Sequence, residues 1–151
     1  MEIKTILCPT DFLEGSREAI KYAVDIAKKY NAKLYLLHVM HDLEKVTGWY
    51  VPHITIDELY KDIESGAKKE LDKIFAEELR GFNNVEQKIL KGIPYAEIIE
   101  FAEGNNVDMI VMGTYGRKGL DRIIFGSTAE QVVKHSACPV LTVRISQEGI
   151  R

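Results

Sequence analysis

One stretch gathers many of the residues able to do chemistry: Gly113-Thr114-Tyr115-Gly116-Arg117-Lys118-Gly119-Leu120-Asp121-Arg122-Ile123-Ile124-Phe125-Gly126-Ser127-Thr128. Glycines let a backbone approach an anion closely and adopt positive φ. Successive amides in such a loop form an anion-binding nest. Gly126-Ser127 opens a predicted helix, whose first amides are free and whose dipole is positive at that end. Arg117, Lys118 and Arg122 add positive charge. Together these are the ingredients of a phosphate cradle. The same residues also make an ordinary turn, with Ser127 and Glu130 as a capping box, and spacing alone leaves both readings open. Arg117 likewise has two readings, a partner for phosphate oxygens or a solvated surface charge. The loop is neither a GxxxxGK[ST] phosphate loop nor a GxGxxG dinucleotide fingerprint.

The elements that must hold this loop follow from hydrophobic period. Ile3–Pro9 is a short apolar run closed by proline, a buried strand. Ser16 is read as the cap of a helix with Ile20, Ala23, Val24 and Ala27 on one face, ended by Asn31 in a left-handed turn. Lys33–Met40 is a nearly continuous apolar strand, as in sheets covered on both faces. After a connection over 41–54 that carries Trp49 and Tyr50, Thr55 and Glu58 read as a capping box for a long helix, with Gly81 at its end. Val85–Leu90 is a more polar edge strand. Pro94 sits at the first position of a helix closed by Gly104. Val107–Met112 is the most hydrophobic strand, and Val140–Arg144 is the last. The order β-α-β-α-β-α-β-α-β predicts a doubly wound α/β fold in one domain over 1–151, a five-stranded parallel sheet in the order 3-2-1-4-5 with helices on both faces. Its binding crevice lies at the carboxyl ends of strands 1 and 4, where the order reverses, beside Pro9-Thr10-Asp11 and Gly113.

Gly113-x2-Gly116-x9-Gly126-Ser127 resembles the signature of the ATP-binding universal stress proteins. The resemblance extends over essentially the whole chain. It includes Pro9-Thr10-Asp11, Val39 closing strand 2, Gly92-x-Pro94, Gly116-Arg117-x-Gly119-Leu120 and Cys138-Pro139-Val140. Tyr115 departs from the pattern, since histidine is frequent there. The resemblance implies ATP, with ADP and AMP as alternatives, bound with Mg2+ riding largely hydrated on the phosphates. By that analogy Pro9, Thr10 and Asp11 face adenine and ribose, and Val39 offers backbone groups to the adenine edge. Met112 and Gly113 line the ribose side, while Gly116, Gly126, Ser127 and Thr128 contact phosphates. A carboxylate at Asp11 suits sugar hydroxyls or an exocyclic amine and would repel phosphate; turn formation is its alternative role. The apolar last strand invites edge pairing, and the family commonly dimerises there, so a homodimer through Val140–Ile145 is expected.

The remaining features exclude more than they assign. The formal charge of −3 gives no global reason for nucleic-acid or membrane-surface binding. No apolar run approaches the ~18 residues of a spanning helix. Met1–Leu7 lacks a signal peptide's basic start, and a cytoplasmic location is expected. Cys8 and Cys138 read as two buried thiols, and His38 with His41 as a poor metal pair, three residues apart on a strand. Neither a Ser-His-Asp constellation nor a close carboxylate pair is identifiable. A regulatory or protective nucleotide-binding module is the leading expectation. Its rivals are a slow ATP-hydrolysing enzyme and a nucleotide-independent interaction protein.

Overall fold

Alternation along the strands splits the apolar residues between two sheet faces, and each face is covered by two helices. The structure, a computed structural model, describes residues 1–42, 53–114 and 126–145. Trp49, Tyr50, Tyr115, Gly116 and Arg117 lie outside the described residues. Strands β1 Thr5–Pro9, β2 Lys33–His41, β3 Val85–Gly92, β4 Met109–Gly113 and β5 Val140–Val143 alternate with helices α1 Glu14–Tyr30, α2 His53–Glu77, α3 Pro94–Gly104 and α4 Ser127–His135. All pairings are parallel, in the order β3-β2-β1-β4-β5, as expected. Ile6, Cys8, Leu34, Leu36 and Val111 pack under α1 and α2, against Ile20, Val24, Leu71 and Ile74. Leu7, Leu37, Val39, Ile110 and Met112 pack under α3 and α4, against Ile98, Ala102, Ala129 and Val132. Burying a side chain of this kind stabilises by about 1.5–3 kcal/mol each, so both layers are needed to fix the sheet.

Local chemistry sets the element ends. Asn31 takes the left-handed conformation at φ 54° and stops α1. Pro94 occupies the first turn of α3, where a missing N–H costs nothing. Asp108 locks β4 to β1: its Oδ2 accepts from the amides of Lys4 at 2.8 Å and Thr5 at 2.9 Å. β3 is an edge strand. Its Glu86 bridges Lys33 and Lys88, both at 2.6 Å, and these cations hold its carboxyl down to about 2.

Three helix starts differ from expectation. α1 begins at Glu14 with Leu13 at its cap, so Ser16 lies inside the first turn, where the Asp11 carboxylate engages its hydroxyl. α2 begins at His53, which puts Thr55 within its first turn. α4 has Gly126 at its cap, because the Gly126 amide is drawn to the Thr114 carbonyl at 2.6 Å, and Ser127 becomes the first helical residue. The cysteines differ too. Cys8 is fully buried at the sheet centre, and burial pushes its thiol up to about 12. Cys138 is only half-buried. Among the described residues no helix is long and apolar enough to cross a membrane.

Candidate functional site

The turn from β1 into α1 is built from its own polar side chains. Ser16 Oγ donates to Asp11 Oδ1 at 2.7 Å, and the Leu13 amide donates to the same oxygen at 3.0 Å. Thr10 is buried, and its Oγ1 accepts from the Phe12 amide at 3.0 Å. These bonds hold Asp11 at the solvent-facing end of β1, with Oδ2 taking no partner among the described residues. Phe12 sits at φ 66°, a conformation that costs a non-glycine residue about 1–2 kcal/mol. Its ring stacks on His38, with centroids 4.2 Å apart.

The opposite wall comes from β4 and α4. Gly113 closes β4 against the first turn of α1, and a Cβ there would lie 2.5 Å from the Gly15 carbonyl carbon. Glycine is therefore required by the approach of two backbones. Thr114 continues this wall as a junction. Its amide donates to the Val143 carbonyl at 3.0 Å, while its own carbonyl accepts from Gly126. In α4 the first intrahelical bond runs from the Glu130 amide to the Gly126 carbonyl at 3.0 Å. The cap residue, Gly126, has no side chain to bond this end. The amides of Ser127, Thr128 and Ala129 therefore stand without intrahelical acceptors, at the positive end of the helix dipole.

Between these walls lies a cavity of about 530 Å³. Pro9, Thr10 and Asp11 from β1 and its turn line it, with Val39 from β2, Met112 and Gly113 from β4, and Gly126, Ser127 and Thr128 from the start of α4. Nine of the expected binding residues thus meet at one crevice; Gly116 and Arg117 lie outside the described residues. The cavity falls in the 300–1,000 Å³ range typical of small-molecule sites. Its charge is divided: a carboxylate at the β1 side, an uncapped helix N-terminus at the β4 side. That division suits a ligand with a polar neutral end and an anionic end.

Sequence reasoning missed ten of the lining residues, and four of these are instructive: Ile63, Pro94, Ile98 and His38. The first three belong to apolar or capping patterns that any helix shows, so no signal marked them. His38 was weighed only as a metal ligand. Among the described residues no group of three His, Cys, Asp or Glu side chains is arranged to hold a metal ion. Instead His38 Nδ1 lies 2.8 Å from the Thr10 carbonyl oxygen. A carbonyl only accepts, so Nδ1 carries the proton. Burial lowers the imidazole's pKa, the Thr10 hydrogen bond and the charge of Asp11 oppose that, and His41 adds to it.

Comparison with known proteins agrees with this architecture. The family model described as "Universal stress protein family" matches residues 2–144, and the chain belongs to that family. It is 41% identical over 147 residues to universal stress protein MJ0531 of Methanocaldococcus jannaschii, covering 93% of this chain and 82% of that one. It is 31% identical over 153 residues to universal stress protein MJ0577 of the same organism, covering 93% and 94%. The solved structure of MJ0577 superposes with a TM-score of 0.84, covering 98% of this chain and 100% of that one. Two more distant structures share the fold at TM-scores of 0.65 and 0.66: a universal stress protein in complex with cAMP, and one from Archaeoglobus fulgidus in complex with dAMP. They are 22% and 20% identical to this chain, and cover 95% of it with 98% and 99% of their own lengths, respectively.

Proposed function

We propose that the chain is a single adenine-nucleotide-binding domain over 1–151, acting as a regulatory or protective stress-response module. The observation that carries this reading is the divided crevice, with Asp11 at the β1 end and the uncapped α4 N-terminus beside β4. In this reading Asp11, with Pro9 and Thr10, takes the ribose and adenine. Val39 offers backbone groups to the adenine edge, and Met112 and Gly113 line the ribose side. Gly126, Ser127 and Thr128 hold the phosphates, with Gly116 and Arg117 contributing from the loop. ATP with hydrated Mg2+ is the proposed ligand, with ADP and AMP as lesser alternatives. The nucleotides held by two fold relatives support the ligand class. The proposal further places the protein in the cytoplasm, as a homodimer joined through Val140–Ile145. No group in the crevice is arranged as a dedicated base among the described residues, so hydrolysis is expected to be slow.

The test is thermal unfolding with and without MgATP, beside mass analysis of any co-purified nucleotide. Ligand at 100 times its dissociation constant adds about 2.7 kcal/mol, or roughly 5–11 °C in midpoint for a chain of this size. Thr128→Glu is the informative variant. A carboxylate in the first turn favours the helix dipole but repels phosphate. The unliganded midpoint should hold and the shift should vanish. Absence of any shift in nucleotide-free unaltered protein would favour the interaction-module reading instead.

A further inference from the structure

The β1–α1 turn presents Asp11, and beside the backbone bond from the Thr10 amide to the Leu37 carbonyl at 2.8 Å, one side chain on another strand fixes it from outside. Thr10, Asp11 and Phe12 are consecutive. His38 on β2 touches the first through the 2.8 Å bond from Nδ1–H to the Thr10 carbonyl, and the third through the 4.2 Å ring stack. Asp11 lies between these two points of attachment. The stack also bears on Phe12, whose left-handed conformation is held together with the bond from its amide to Thr10 Oγ1 and its packing on the core. If Phe12 relaxed to a right-handed or extended φ, the chain leaving Asp11 would redirect. The Leu13 and Ser16 bonds that aim its carboxylate would then be lost.

We propose that His38 is the positioning residue of the nucleotide site: by clamping Thr10 and Phe12 it holds Asp11 where the sugar and base end of the ligand meets it. The proposal rests on the reading of the cavity as an adenine-nucleotide site. It gives the imidazole a defined state, neutral with the proton on Nδ1, rather than a ligand contact or a metal. It also separates two properties of the variants. Loss of the clamp weakens ligand affinity through Asp11, whereas a histidine that merely packs changes stability alone.

Two measurements test this. The first needs no ligand. Nitrogen NMR of the imidazole at pH 7.5 should show the Nδ1–H tautomer; the Nε2–H tautomer would overturn the clamp. The second is a double-mutant cycle on MgATP affinity by titration calorimetry, with unliganded midpoints measured for every variant. His38→Phe keeps a ring for the stack and loses the hydrogen bond. It should weaken binding about tenfold, the order of one hydrogen bond. In an Asp11→Ala background the same replacement should change affinity by less than about twofold, since residues acting through one another are not additive. His38→Asn, whose amide N–H can replace Nδ1–H, should recover part of the loss. Equal affinity of the unaltered and His38→Phe proteins overturns the proposal, as does an equal loss in both backgrounds. No MgATP binding by the unaltered protein overturns the nucleotide reading and this proposal together, whatever tautomer the imidazole shows.

Discussion

Gly113 and His38 show how single positions set the crevice. At Gly113 the β4 end and the first turn of α1 touch through backbone alone, so Gly113→Ala forces a Cβ to within 2.5 Å of Gly15. Overpacking of this kind costs about 1–3 kcal/mol. The urea midpoint of Gly113→Ala should fall with its slope unchanged, and an unaltered midpoint would mean the two backbones separate freely. For His38 the prediction is a pH dependence. Its folded pKa lies below the unfolded value near 6.5, so near that pH the unfolded chain binds more protons. Stability from this group is therefore complete above about pH 6.5 and declines as pH falls below it. Urea midpoints at pH 7.5 and 5.5 should differ more for the unaltered protein than for His38→Phe. Equal differences would show that the imidazole does not titrate abnormally.

Helix α4 makes the case at the level of elements. With Gly126 at the cap, Ser127 supplies no capping bond, so Ser127→Ala should change the unliganded midpoint by less than about 0.5 kcal/mol. A true cap would cost about 0.5–2 kcal/mol, and a loss of that size would return Ser127 to the role its sequence suggests. The difference explains what could be read in advance. Strand order, helix faces and the crevice were legible because they follow from period, polarity and the parallel crossover. Pro94 and Asn31 were legible because each is conformationally restricted. Ser16, Thr55 and Ser127 were misplaced by one to three residues. A serine or threonine followed by glutamate looks the same at a cap and within a first turn, and only tertiary bonds such as Gly126 to Thr114 decide between them. The role of His38 was illegible because it arises from contacts with Thr10 and Phe12, more than two dozen positions earlier in the chain.

Across the whole molecule, the sheet ends on β5, paired only with β4 among the described residues. A homodimer through this edge predicts a sedimentation mass of about twice the 17.1 kDa chain. Thr142→Pro, which breaks edge pairing, should halve it; a mass of one chain for the unaltered protein at micromolar concentration would remove the dimer from the proposal. The buried thiol gives this molecule a built-in clock. Cys8 lies on the central strand, fully buried in the cluster that packs under α1. Its rate of alkylation in native buffer then reports the openings that uncover the central strand, while half-buried Cys138 reacts on its own schedule. One reagent and one time course would thus report how often that burial is lost, without denaturant and without a label.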